Sequence, residues 1–324
     1  MPNFSMSKQP TQAWYILGAG AIGCLWAQVM QQWGLDITIL TRNAQQHQQL
    51  QAQGIQLTEG KVAHTSRPPS LYPNQGGDTI YNLLVCTKTY ATLSAVDSWR
   101  KRLHPQANIL LLQNGMGTAQ ALQTRLPKAN IYCATTTDGA WRQGPWQVVR
   151  AGVGSTQIGA FSAHLPSHTA PDQIALLLAL SASHANTLQL HWHKDIVTPM
   201  WHKLAINSVI NALTAVYQIN NGDLIEHNQA RPRLEQLCQE TENVMSRCHI
   251  TPIPHGLLQQ ALRVLKQTAD NQSSMLQDCL AGRATEIDAI NGFIMQQGAL
   301  LHLPCAAHKQ ICQDLRQQYP MAYS

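Results

Sequence analysis

The hexapeptide Gly18-Ala19-Gly20-Ala21-Ile22-Gly23 limits the fold of this chain more than any other stretch, because of what stands on either side of it. Before it lies Trp-Tyr-Ile-Leu (Trp14 to Leu17), a short apolar run of strand-forming residues. After it, Ile22, Leu25, Trp26, Val29 and Trp33 recur at helical spacing as a buried stripe that Gly34 closes. Asp36 to Leu40 then reads as a second strand. Strand, glycine turn, helix and strand together open a doubly wound α/β sheet. In that setting glycines allow a tight turn, backbone approach to a pyrophosphate and close helix packing, while the helix amino terminus favours an anion. A glycine-rich hexapeptide alone is weak; between this strand and this helix it predicts a dinucleotide site at Gly18, Ala19, Gly20, Ala21, Ile22 and Gly23.

The end of the second strand bears on which dinucleotide. An NAD site carries Asp or Glu there to accept the ribose 2′-hydroxyl, but here the strand runs into Thr41-Arg42-Asn43. A guanidinium at Arg42 can grip a 2′-phosphate through paired hydrogen bonds, whereas a carboxylate would repel it, so the cofactor expected is NADPH/NADP. A solvated loop cation is the other reading of Arg42. Lys88, directly after a predicted strand, and Asn114, near the end of another, lie at the carboxyl edge of the sheet where ligands of open α/β sheets bind, and both are candidate site residues.

The alternation continues with strands over Asn82 to Thr87, Ile109 to Gly115 and Asn130 to Thr137, and helices over Ala91 to Leu103 and Thr118 to Leu126. From Gly139 to Phe161, glycines punctuate short runs that predict hairpin-like strands extending the sheet edge, and a helix from Pro171 to Ala185 follows. Beyond Lys194 the pattern turns helical, over Asp195 to Tyr217, Arg231 to Cys248, Pro254 to Ala269, Thr285 to Leu301 and Pro304 to Gln318. The fold expected is a Rossmann-type, doubly wound parallel α/β sheet (residues 1–194, cofactor-binding) followed by a separate all-helical domain (residues 195–324, substrate-binding).

Composition excludes several classes of partner. A net charge of +5 is spread out, with no basic run and only three phenylalanines, so the clustered cations and stacking aromatics of a nucleic-acid binder are missing. The first thirteen residues hold no apolar core of signal-peptide length, and no apolar stretch approaches the length of a membrane span; the expectation is a cytoplasmic protein without a membrane partner. The eight cysteines form no C-x-x-C pair and sit mostly in apolar runs, as reduced buried thiols do. His302, Cys305, His308 and Cys312, and the pair His191 and His193, lack paired knuckles, and no metal is assigned.

Trp201 to Ala215, WHKLAINSVINALTA, sets one lysine into an apolar helical run. At about 100° per residue Lys203, Asn207 and Asn211 share one face. An ammonium flanked by Met200, Leu204 and Ala205 is partly desolvated, which eases loss of its proton, and such a lysine serves as a proton donor near neutral pH. The same pattern also fits an amphipathic helix whose lysine snorkels to water. Downstream, Asn271, Ser274 and Asp278 lie three and four residues apart, and Glu286 follows in a new helix. Taken alone, Ser274 reads equally as a helix cap and Glu286 as a first-turn carboxylate.

The motifs GAGAIG, CTK, LLLQNGMG, WHKLAINSVINALTA, NNGDL, SSMLQD and TEIDAING stand in the order that the ketopantoate reductase family shows. The resemblance runs from about Trp14 to the final helices. It implies NADPH-dependent reduction of a small 2-keto acid, 2-dehydropantoate, to pantoate on the route to pantothenate; apart from that resemblance, a monomer or homodimer is expected. By motif match Lys203 resembles the family's general acid and Glu286 the carboxylate that engages the substrate hydroxyl and helps fix that lysine. Asn207, Asn211, Asn271 and Ser274 resemble its substrate contacts, with Ser274 near the substrate carboxylate, and Asn221 fits a further position of that set. Asn114 resembles the asparagine that reaches both cofactor and substrate, and Lys88 and Arg42 its cofactor cations. Ala212 stands where many members have proline, a tail precedes Ala13, and Ala163 to Gln189 matches only in general pattern. Reduction of another branched or aromatic 2-keto acid, and a non-catalytic NADPH-binding sensor, are the alternatives.

Overall fold

The computed structural model describes residues 13–184 and 187–320. The tail before Ala13 and the helix end expected at Ala185 lie outside the described residues. The chain divides into two compact units, one of residues up to Gln113 with Ala119–Ile196, the other of Asn114–Thr118 with Val197 onward.

The first unit runs β1 (Trp14–Leu17), α1 (Ala21–Gln32), β2 (Ile37–Leu40), α2 (Ala44–Gln53), β3 (Ile55–Glu59), β4 (Val62–Ser66), β5 (Ser70–Leu71) and β6 (Ile80–Val85). It continues with α3 (Thr89–Asp97), β7 (Leu103–Leu112), α4 (Thr118–Arg125), β8 (Asn130–Thr136), β9 (Gly139–Gly144), β10 (Gln147–Gly152), β11 (Ser155–Ala160), α5 (Asp172–Ser183) and β12 (Gln189–Trp192). Among the described residues eight strands form one sheet in the order β5-β2-β1-β6-β7-β8-β11-β12. From β5 to β8 all neighbours are parallel; β11 runs antiparallel to β8 and β12 parallel to β11. The chain winds outward from β1 through β2 to β5, returns beside β1 as β6, and winds out the other way. The switch point between β1 and β6 is where open sheets bind ligands. Every residue of β1 is buried, as befits a parallel strand covered on both faces.

The strands of Gly139 to Phe161 divide differently from the sequence expectation. Only β11 extends the main sheet; β9 and β10 form a hairpin in a second sheet, β4-β3-β10-β9, in which Arg150 pairs with Glu59. The partner strand lies far upstream, so local glycine punctuation shows the hairpin but not its destination. This second sheet covers the outer side of α1, with Leu57, Trp146 and Val148 in the same core as Leu25 and Trp26. That is why every residue of α1 from Gly23 to Met30 is buried rather than a single stripe. A buried cation ties the layers: the Arg150 guanidinium lies 2.8 Å from Glu59 and 3.1 Å from Asp138, and donates to the Thr187 carbonyl at 2.8 Å. Removing one partner of such a pair leaves an uncompensated buried charge, at a cost of about 3–5 kcal/mol.

The second unit is helical: α6 (Val197–Tyr217), α7 (Ala230–Arg247), α8 (Leu257–Gln267), α9 (Ser274–Leu280), α10 (Phe293–Leu300) and α11 (Ala306–Gln318). A 3-10 turn occupies Gly222–Leu224 and a five-residue π-turn Asp288–Gly292. Proline at position 199 falls in the first turn of α6, where its missing N–H costs nothing. The helix stops at Gln218, whose φ of 55° is left-handed, while the Ile219 N–H donates back to the Thr214 carbonyl at 3.2 Å. All of α6 from Ser208 to Ala215 is buried, so it is the central helix around which Leu234, Leu237, Leu265, Leu276, Ile294 and Ile311 pack. The helix expected from Thr285 to Leu301 begins later and more widely: Glu286 precedes it, and its first full turn is the π-turn. Among the described residues no helix is long and apolar enough to cross a membrane.

Candidate active site

Three loops of the first unit leave neighbouring strands at one level. Leu17 is paired with Leu40 of β2 and with Val85 of β6, so Gly18–Gly23, Thr41–Asn43 and Cys86–Lys88 all begin just past the same carboxyl edge. Gly18 has a φ of 103°, and a Cβ there would stand 2.5 Å from the Thr87 nitrogen; only glycine lets the first loop pack on the third. A Cβ on Gly23 would stand 2.0 Å from the Gly18 carbonyl oxygen, so α1 begins hard against the turn. Gly20 differs, because a Cβ there meets nothing within 4 Å. Packing does not demand glycine at that position, and its absence of a side chain leaves the backbone open to close approach by a ligand. As amino-terminal cap of α1, Gly20 supplies no side chain, and the first turn holds no acidic residue to compete with an anion. Ala19, Ala21 and Ile22, the other residues of the turn, are each half-buried.

Arg42 is exposed at the end of β2, its N–H donating to Gln46 Oε1 at 3.2 Å. The loop is set by Thr41, whose hydroxyl lies 3.0 Å from the Leu71 carbonyl, and by Asn43, which caps α2 by accepting the Gln46 N–H at 2.9 Å. No acid occupies Thr41–Asn43. These residues fit a phosphorylated ribose. Lys88 is the amino-terminal cap residue of α3, and its carbonyl accepts the Thr92 hydroxyl at 3.0 Å. Gln113, at the end of β7, donates to the Thr87 carbonyl at 2.6 Å and also bonds Thr92. Sequence reading passed over Gln113; its signal is a polar residue following four apolar ones at the carboxyl edge.

The second unit gathers the remaining candidates. Lys203, Asn207 and Asn211 lie on successive turns of α6, the first two half-buried and Asn211 buried. The Asn211 carbonyl is 3.0 Å from the Thr214 hydroxyl, which in turn lies 2.7 Å from Ser273 Oγ. Ser273, not Ser274, caps α9, accepting the Leu276 N–H at 3.1 Å. Ser274 is thereby left exposed at the first position of α9. Both serines fit a cap by spacing, and only the packing of Ser273 onto Thr214 separates them. Asn271 is exposed, and its carbonyl accepts the Asn221 N–H at 2.9 Å. Asn221 is buried; its Nδ2 donates to Thr268 at 2.8 Å, while its Oδ1 has no hydrogen-bond partner among the described residues. Glu286 is 7% exposed, and its carbonyl accepts the Ile290 N–H at 3.0 Å. Asn114, half-buried, opens the loop after β7, and two residues on the Met116 N–H donates to the Ala289 carbonyl at 2.9 Å.

The histidine and cysteine cluster near the carboxyl end has a different use. His308 is fully buried, with Nε2 3.0 Å from the Thr241 hydroxyl and Nδ1 3.1 Å from Asn291 Nδ2. Burial pulls its imidazole down to about 4, so it is neutral near pH 7. Burial likewise raises the thiols of Cys24 and Cys238 to about 12, which makes them packing groups rather than nucleophiles.

Residues 14–163 match the family model described as ketopantoate reductase PanE/ApbA, and residues 195–318 match the model of its C-terminal region. The chain is 33% identical over 289 residues to a 2-dehydropantoate 2-reductase of Yersinia pestis, covering 87% of each chain. It is 32% identical to one of Vibrio cholerae over 87% of this chain and 90% of that one. Among solved structures, a D-mandelate dehydrogenase with NADH and anilino(oxo)acetate superposes with a TM-score of 0.84 at 20% identity, covering 97% of this chain and 100% of that one. A PanE/ApbA family ketopantoate reductase from Ralstonia eutropha gives 0.83 at 24%, covering 96% and 99%. These two structures share the fold, and the sequence matches in both units fix the rest: the chain belongs to the ketopantoate reductase family.

Proposed function

We propose that this protein reduces 2-dehydropantoate to pantoate with NADPH, a step of pantothenate biosynthesis. One observation carries the reading: similarity at about one third identity, over nearly the whole of both chains, to proteins that are 2-dehydropantoate 2-reductases. The first unit binds the cofactor through Gly18–Gly23, with Arg42 on the 2′-phosphate and Lys88 as a second cation. The second unit holds the keto acid. Bound NADPH supplies a hydride to the carbonyl carbon. Lys203 gives its ammonium proton to the carbonyl oxygen as charge develops there, and water later reprotonates the amine.

The other residues orient these two groups. Glu286 is a buried carboxylate suited to accept a hydrogen bond from the substrate hydroxyl and to hold the Lys203 ammonium in place. Asn207 and Asn211, on the turns above Lys203, position the substrate, while Asn221, with its unmet acceptor, and Asn271 line the same unit. Ser274 receives the substrate carboxylate, and Asn114 reaches cofactor and substrate. Eight unpaired cysteines suit a reducing compartment, the cytoplasm.

The test follows NADPH absorbance with 2-dehydropantoate, pyruvate, and branched and aromatic 2-keto acids. We expect 2-dehydropantoate to lead in kcat/KM by roughly 100-fold, because a site built to bond a hydroxyl rejects analogues without one. A different leading acid replaces the substrate, and NADPH binding without any oxidation replaces the enzyme by a sensor.

A further inference from the structure

The π-turn at Asp288–Gly292 begins two residues after Glu286. Adding a residue to a helical turn breaks the regular i→i−4 ladder, and such turns persist where something outside the helix holds them. Here two things do. On one side the Ala289 carbonyl accepts the Met116 N–H at 2.9 Å, and Gly115 is seated so closely that a Cβ on it would stand 2.6 Å from that same oxygen. Gly115 has a φ of 78°, so the loop carrying Asn114 is shaped to lie on this turn.

On the other side, fully buried Asn291 spends both amide hydrogens: Nδ2 donates to the Ser208 carbonyl at 2.8 Å and to His308 Nδ1 at 3.1 Å. Its Oδ1 is buried without a partner among the described residues. An apolar residue of similar size would avoid that penalty of about 1–3 kcal/mol. Reversing the amide would face Oδ1 with the Ser208 carbonyl, so the orientation is fixed. Ser208 adjoins Asn207 on α6, and His308 is held in turn by Thr241 and by Glu240, which accepts the His308 N–H at 3.1 Å.

We infer that Asn291 is a positioning residue: by tying the π-turn to Ser208 and His308 it fixes the Ala289 carbonyl under Met116, and so sets where the Asn114 loop lies relative to Glu286. The inference rests on the roles proposed above for Asn114 and Glu286. Two substitutions approach the relationship from opposite ends. Asn291→Ala removes the tie, and Gly115→Ala spoils the seat without touching the tie. Both are compared with Leu265→Ala, a buried truncation on α8 outside the network.

In Asn291→Ala, hydrogen exchange at the Met116 amide rises about tenfold or more beyond the change in Leu265→Ala. KM for 2-dehydropantoate rises or kcat falls by about tenfold in both Asn291→Ala and Gly115→Ala, and neither moves in Leu265→Ala. A lowered melting temperature with wild-type kcat, KM and Met116 exchange makes Asn291 merely structural and overturns the inference. If wild-type protein reduces no 2-keto acid, the functional reading fails, and the exchange measurement still decides whether Asn291 holds the loop. Should Asn291→Ala not fold, Gly115→Ala must show the kinetic change in a folded protein, and its absence there is equally fatal.

Discussion

Gly23 faces Gly18 so closely that a Cβ on it would lie 2.0 Å from the Gly18 carbonyl oxygen, whereas a Cβ on Gly20 would meet no protein atom within 4 Å. Two glycines of one motif therefore differ: packing demands the one at Gly23 and leaves Gly20 unconstrained, as the pyrophosphate contact proposed for Gly20 requires. Gly20→Ala leaves the melting temperature within roughly 2 °C of wild type, since the backbone there suits any residue and nothing is displaced. NADPH affinity in the same variant drops by about tenfold or more. Gly23→Ala instead destabilises the first unit. Thermal melts and NADPH fluorescence titrations separate the two effects, and an unchanged NADPH affinity in Gly20→Ala means that no pyrophosphate lies on this loop.

Lys203 stands on an α6 face that also carries Asn207 and Asn211, in a helix buried continuously from Ser208 to Ala215. As proton donor, its loss lowers turnover by ~10²–10⁴-fold. NADPH binding stays within a few-fold of wild type, because the residues proposed to cradle the cofactor lie in the first unit. Single-turnover kinetics with saturating NADPH check this; near-normal turnover in Lys203→Ala assigns the proton to another group.

Arg42 follows a strand end with no acid in its loop. Losing a charge-assisted contact to the 2′-phosphate costs about 1.5–3 kcal/mol, or roughly 10–100-fold in NADPH affinity. NADH affinity is untouched, since NADH has no phosphate there. Titrating Arg42→Ala with both cofactors reads the difference directly, and equal losses for the two would remove Arg42 from the phosphate site.

Adjacent serines make a similar contrast. Ser273→Ala deletes the α9 cap and its Thr214 partner, at about 1 kcal/mol of stability, with little change in KM. Ser274→Ala leaves stability alone and raises KM for the keto acid by about tenfold through one lost hydrogen bond to its carboxylate. Denaturant unfolding beside steady-state kinetics distinguishes them; a KM shift confined to Ser273→Ala reverses the assignment.

What the sequence disclosed and what it withheld follow from the range of the interactions. The β1 turn and the α1 stripe are local, and the order of alternating strands and helices leads to the sheet through short connections, so both are legible in a single pass. The polar α2 is not, because only Leu50 of that helix is buried and no apolar period remains to be read. The β9–β10 hairpin finds β3 across a long separation, and no feature of Gly139 to Gly152 encodes that pairing. In the second unit Lys203, Asn207 and Asn211 are visible as polar breaks in an apolar helix. Asn291 is just as polar, but its partners Ser208 and His308 lie far from it in sequence, and the π-turn it anchors has no signature in residue spacing.

His308 carries a last consequence, one of pH. Its imidazole titrates near 4 in the folded protein against an ordinary 6.5, chiefly through burial, with a backbone hydrogen bond to Leu237 opposing part of the shift. Between those values the unfolded chain binds a proton that the folded one refuses. Stability therefore rises with pH through this window and falls as pH is lowered from 6.5 toward 4, by about 2 kcal/mol at pH 5 and roughly 3 kcal/mol at pH 4. The direction is physical as well as formal: a protonated ring would turn Nδ1 into a donor facing the Asn291 amide hydrogens, which also donate. His308→Gln removes the titrating group, so its unfolding free energy declines less steeply than wild type from pH 7 to pH 5, the other histidines and Glu240 contributing equally to both proteins. Denaturant unfolding at the two pH values gives the slopes, and NMR titration of the ring gives the midpoint; parallel slopes, or a midpoint above 6, would show that this histidine is not held neutral by the fold.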